Sequence, residues 1–210
     1  MLVNEKKTKC MIFNFTEKYQ FSTRLSINNQ PIEVIDSTRL LGTIITNDLK
    51  WEENTAQIVK KANARMELLR KVASFGTGVE ELKEIYYLFV RSQLEQSAVV
   101  WHSSLTEENK SDLERVHKSA LQIIMGGRYI GYEKALVGLG IASLDERREK
   151  LCLNFARKCL KNEKSKHMFP INEKQHEMET RNHEDYRVQH ANTGRLQKSP
   201  LIYMQNLLNI

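Results

Sequence analysis

The chain has few of the residues that staple small secreted folds or bind structural zinc. Its 210 residues include three cysteines, Cys10, Cys152 and Cys159. They are odd in number and lack the paired spacings of a disulfide framework or a zinc site, which points to a reducing compartment. Three prolines and nine glycines exclude a collagen-like or Pro-rich linker chain. Nowhere do about 18 apolar residues follow one another, and the first residues contain no apolar run of the signal-peptide kind. The expected product is intracellular, in cytoplasm or nucleus, with no membrane partner.

What is present is one core's worth of apolar residues and a modest basic excess. Hydrophobic residues make up 40% of the chain, enough at this length for one core, or one core and a small annex. The 32 Lys and Arg against 26 Asp and Glu leave +6, which suits a polyanionic partner and equally suits a solvated surface.

The first fifty residues pattern as strands. Cys10 to Phe15 is a short apolar run; Leu25–Ile27 and Ile32–Val34 alternate about the turn residues Asn28-Asn29-Gln30-Pro31. Arg39 to Thr46 reads as a further, more buried strand with Gly42 inside it. After Trp51 the period changes to three and four, with Val59, Ala62, Met66, Leu69 and Ala73 on one stripe, and Gly76-Thr77-Gly78 ends the helix. Leu82, Ile85, Phe89 and Val90 mark a second helix. Thr106 is an N-cap for a third, closing at Gly126-Gly127, and a short helix falls near Glu133 to Val137. Ser143-Leu144-Asp145-Glu146 has capping-box spacing and opens a helix through Leu160. Beyond Lys161 the composition turns polar until Pro200 opens an apolar end.

These elements predict an α+β chain in three parts. Residues 1–50 form a small antiparallel β segment, 51–165 a helical bundle, and 166–210 a polar, loosely ordered tail with an apolar end.

Several short motifs occur in an order that resembles the carboxyl-terminal part of non-LTR retrotransposon (LINE-like) reverse transcriptases. Asn4, Lys7 and Thr8 resemble an Asn-x-x-Lys-Thr signature; Leu41-Gly42 and its strand resemble the primer grip; Asp48-Leu49-Lys50-Trp51 resembles the link to the thumb. Leu94-Glu95, Val100-Trp101, Leu113-Glu114-Arg115-Val116 and Arg147-Arg148-Glu149 are similar to the family's helical tail. The resemblance implies an end-of-palm sheet, a thumb-like bundle and contact with an RNA–DNA or RNA template-primer. Lys7, Leu41, Gly42, Lys60, Lys61 and Arg65 are the nucleic-acid-binding candidates. It also implies that the chain is not active on its own. The family's catalytic carboxylates occur as an Asp-Asp pair, no such pair exists here, and two-metal phosphoryl transfer needs carboxylates to hold the ions. No cofactor is expected in this chain, the Mg2+ of the intact polymerase being held elsewhere, and no small-molecule substrate is expected. The alternative is a helical structural or protein-interaction module without nucleic-acid binding.

Two further signals are ambiguous in the sequence. From Asp145 to Lys166 eight Lys or Arg face four acids, suiting a phosphate-binding surface or a solvated helix end. Tyr86-Tyr87 and Tyr129-x-x-Tyr132 suit base stacking or a core position. His102, His117, His167, His176, His183 and His190 are scattered without catalytic spacing.

Overall fold

The computed structural model describes residues 4, 8–16, 25–172 and 186–210. Lys7, His176 and His183 lie outside the described residues. The architecture is α+β, in two compact units that divide at Ala56 and Gln57.

In the first unit the strands are β1 (Lys9–Cys10), β2 (Ser26–Ile27), β3 (Gln30–Pro31), β4 (Glu33–Val34), β5 (Ser37–Leu40) and β6 (Thr43–Thr46). They form three two-stranded ladders instead of the single antiparallel sheet expected. β2 and β3 close a hairpin through Asn28 and Asn29, both at positive φ (49° and 63°). Asparagine tolerates the left-handed region, and a loop with both residues there matches strand twist. The turn is therefore two residues long and tighter than the sequence indicated. β1 pairs with β4 in parallel, and a Lys9–Glu33 ion pair of 3.1 Å spans the ladder.

Helix α1 (Glu52–Ser74) begins in the first unit and continues in the second. Its buried stripe is Thr55, Ile58, Ala62, Met66 and Leu69, so Ile58 and not Val59 takes the core position. α2 (Val79–Ile85) runs into a wide π-helical turn over Tyr86–Arg91 and then α3 (Ser92–Leu94). Here the buried residues Leu82, Tyr86, Val90 and Leu94 recur every four, and Phe89 is exposed. The turn takes about one more residue than an α-turn, so the 3.6-residue pattern slips and points to the wrong neighbours.

α4 (Ala98–Trp101) leads to α5 (Glu107–Met125), capped by Thr106, whose hydroxyl accepts from Asn109 N–H at 3.2 Å. α6 (Tyr132–Leu139) ends at Gly140, whose φ of 62° lets Ile141 N–H reach the Leu136 carbonyl. α7 (Leu144–Leu160) opens on the Ser143–Glu146 capping box. Its buried stripe of Leu144, Arg148, Cys152, Ala156 and Cys159 meets the apolar end, where α8 (Gly194–Gln197) precedes α9 (Pro200–Leu208). Cys152, Ala156 and Cys159 pack with Phe169, Met204 and Leu207. Gln205 ties the 186–190 strand of chain to this core, accepting from Gln189 N–H and donating to the Met168 carbonyl, each at 2.9 Å. No helix among the described residues is long and apolar enough to cross a membrane.

Candidate nucleic-acid interface

Leu41 and Gly42 do not lie inside a strand. They form the two-residue tip of a hairpin in which Leu40 pairs with Thr43, because both take positive φ (49° and 89°) and reverse the chain. Glycine adopts this region freely, whereas for leucine it costs about 1–2 kcal/mol. Leu41 is also 91% exposed. Residues held in such disfavoured backbone regions cluster at functional sites, which makes the tip a candidate contact.

Two bonds fix the hairpin, one close behind the tip and one at its open end. The Ile44 N–H donates to the buried Asn54 side chain at 3.1 Å, and the Ser37 hydroxyl donates to Glu53 at 3.0 Å. Between hairpin and helix, the Thr46 hydroxyl (2.7 Å) and the Lys50 N–H (3.0 Å) both donate to Asp48. These bonds hold the Asp48 carboxyl below its ordinary pKa. Asp48-Leu49-Lys50-Trp51 is thus a bonded corner, and Trp51 is buried. Replacing Leu41 by Asn, which tolerates the left-handed region, is expected to stabilise the fold by about 0.5–1 kcal/mol. A lower melting midpoint for Leu41→Asn would contradict this account of the turn.

The cations of α1 divide into two groups. Arg65 Nη1 donates to the Phe89 carbonyl at 2.8 Å, so its guanidinium holds the wide turn of the neighbouring helix. Arg70 pairs with Glu67. Lys60, Lys61 and Lys71 make no ion pair or hydrogen bond among the described residues, and Lys60 and Lys71 are fully on the solvent side. At 100° per residue, Lys60 and Lys71 share one line along the helix. Near the amino end, Thr8 donates to the Asn4 carbonyl at 2.9 Å.

The second chemical cluster is internal. Tyr86 is hydrogen-bonded to His117 Nδ1, and Tyr132 donates to Glu114. Tyr86 is fully buried, and the half-buried Tyr132 ring has Lys118 over it at 4.8 Å and packs with His117 at 5.8 Å, so neither offers a free face for base stacking. His102 and His117 are buried too, and burial first of all pushes each imidazole down to about 4. Both are neutral at pH 7, but a substrate could reach neither without opening the bundle. Among the basic residues of 145–166, Arg148 is completely buried and Arg147 is paired with Glu95 at 3.0 Å, so these two are not available to phosphates. Neither the burial of Arg148 nor the pairing of Arg147 could be read from sequence, where Arg147-Arg148-Glu149 has the look of a solvated run.

Among the described residues no group of three His, Cys, Asp or Glu could hold a metal ion. No family model, no curated protein and no solved structure matches the chain.

Proposed function

We propose that the chain is the non-catalytic carboxyl-terminal part of an RNA-directed DNA polymerase of the non-LTR retrotransposon kind, and that it contacts the template-primer duplex. The observation that carries the reading is the Leu41–Gly42 tip: exposed, left-handed, and bonded through Asn54 and Glu53 to the first turn of the following helix. Such a tip lets backbone and one apolar side chain approach a sugar-phosphate chain closely. Lys60 and Lys61, unpaired among the described residues, supply sequence-independent attraction to phosphates. The nucleotide-adding carboxylates and their Mg2+ belong to the part of the polymerase that this chain does not carry, so the role here is to grip and clamp.

The test is binding of the purified chain to a labelled RNA–DNA primer-template across a salt series. Lys60→Glu, Lys61→Glu is expected to weaken binding about tenfold or more and to flatten the slope of log affinity against log salt by about 2. Leu41→Asn should weaken binding with no loss of stability. Absence of binding at low salt, from a chain shown to be folded, would refute the reading and leave a helical protein-interaction module. Arg65 is unsuited to this test, because its loss would also release the Phe89 carbonyl.

A further inference from the structure

α7 carries a second face beside its core stripe. Leu151, Asn154, Phe155 and Lys158 follow at intervals of three and four, and they front a groove of about 510 Å³ whose other wall is built by Ala98 and Val99 of α4. That size falls within the usual range of ligand pockets, about 300–1,000 Å³. The floor is apolar. Phe155 is 41% exposed on this face. One end of the groove is cationic, formed by Arg157, Lys158 and Lys161, and none of these three side chains makes an ion pair or hydrogen bond among the described residues. The acid in the wall, Glu95, is already compensated by Arg147 at 3.0 Å and Arg91 at 3.5 Å. The groove is therefore net positive over an aromatic floor. Its rim holds Ser97 in the left-handed region, φ 55°, and its hydroxyl makes no hydrogen bond among the described residues. A non-glycine residue in that region, at the mouth of a groove, is where backbone strain collects around ligands.

The geometry points to this groove as a binding site for single-stranded nucleic acid, one base stacking on Phe155 and the adjoining phosphates lying on Arg157, Lys158 and Lys161. An exposed aromatic with flanking unpaired cations on one face matches how single strands are held: a π-face that every base can use, and charges that follow the backbone. An A-form or B-form duplex keeps its bases stacked on one another and cannot present one to Phe155. The groove thus takes a strand that α1 and the hairpin tip do not. The Asn154 amide and the Ser97 hydroxyl supply directional hydrogen bonds to base edge or sugar. The proposal deepens the nucleic-acid reading above, and the two fail separately.

Anisotropy titrations of the full chain with labelled oligouridylate, oligothymidylate and the RNA–DNA duplex test it. Phe155→Leu, which keeps the apolar volume but removes the π-face, is expected to weaken single-strand binding about tenfold, and Phe155→Trp to restore it. Lys158→Ala should lower the single-strand salt slope by about 0.7. Neither should change duplex affinity, which Lys60→Glu, Lys61→Glu should reduce. Tighter binding of the ribo-strand would assign Ser97 and Asn154 to the sugar 2′-hydroxyl, and equal binding would leave recognition to base and phosphate; both support the groove. Unchanged single-strand binding in Phe155→Leu, with unchanged circular dichroism, would overturn it. So would displacement of the strand by polyglutamate at equal charge concentration, since the groove would then read charge alone.

Discussion

Lowering the pH from 6.5 to 4 is expected to remove several kcal/mol of the bundle's stability. His102 and His117 carry the effect. Burial is the main reason that each folded imidazole protonates only near pH 4. The Arg148 guanidinium adds to the shift at His102; Arg91 and Arg148 add to it at His117, where the Ala142 backbone opposes it in part. An unfolded histidine takes its proton near 6.5. Between the two values the unfolded chain binds more protons than the folded one, so stability rises with pH across this window. The contribution is complete above about 6.5 and falls away as the pH drops to 4. At 1.36 kcal/mol per pH unit, a displacement of about 2.5 units corresponds to at most about 3 kcal/mol for each histidine. Urea midpoints at pH 7, 6, 5 and 4 check the expectation, with a His102→Gln, His117→Gln chain as the reference. Glutamine at 117 keeps an acceptor within reach of the Tyr86 hydroxyl. The difference between the two chains isolates the histidines from carboxylates that titrate lower. Parallel profiles from pH 6.5 to 4.5 would mean that these histidines are solvated in the folded state.

Arg148→Met is expected to make the protein more stable, by about 1–3 kcal/mol. Arg148 is fully buried, and none of its guanidinium nitrogens has a hydrogen-bond partner among the described residues. Its nearest carboxylate oxygen, on the exposed Asp145, is 4.0 Å away, and the Trp101 ring lies 5.8 Å from Cζ. Desolvation lowers its pKa from the ordinary arginine value, a measure of how poorly the site suits a cation. The acids that attract it do not depend on it. Glu95 keeps Arg91 and Arg147, and Glu114 keeps the Tyr132 hydroxyl and the Leu144 N–H. Removing the guanidinium therefore leaves no carboxylate orphaned, unlike breaking a tight buried pair, and methionine fills a similar elongated volume. The urea midpoint should rise at unchanged slope. His102 should also protonate at higher pH once the neighbouring positive charge is gone, so in the variant the loss of stability should still begin near pH 6.5 but end at a higher pH and be smaller. An unfolding free energy lowered by about 1 kcal/mol or more would show that Arg148 has partners in solution that hold it better than its neighbours here do.

Helix limits were legible because caps are local. Thr106, Ser143 with Glu146, and the glycines near 76 and 126 act on backbone groups a few residues away, and each bounds a helix where its chemistry requires. The Leu41–Gly42 turn was not legible, since the usual signal for a two-residue hairpin is Asn-Gly or Asp-Gly. A leucine in the first position made residues 39–46 read as one buried strand. The wide turn at Tyr86–Arg91 was hidden for a different reason, because an extra residue in a helix shifts every later position off the expected stripe. Burial of Arg148, His102 and His117 depends on which helices meet, and no spacing within one helix records that. The same limit applies to Phe155, three residues after Cys152: at the edge of the stripe a shift of a few tens of degrees decides between core and groove.

The wide turn over Tyr86–Arg91 also changes what an insertion or deletion would do. An ordinary helix has no slack, and one residue gained or lost rotates all that follows by 100°. A π-helical turn already accommodates one residue beyond the α-repeat, and its solvent side is formed by Leu88 and Phe89. Loss of one of these two could be absorbed by tightening the turn to α-geometry, with Tyr86 below and Leu94 above still facing the core. This helix therefore contains a place where chain length can change by one without a change of register, and Arg65, reaching across to the Phe89 carbonyl, is the side chain that would sense the difference.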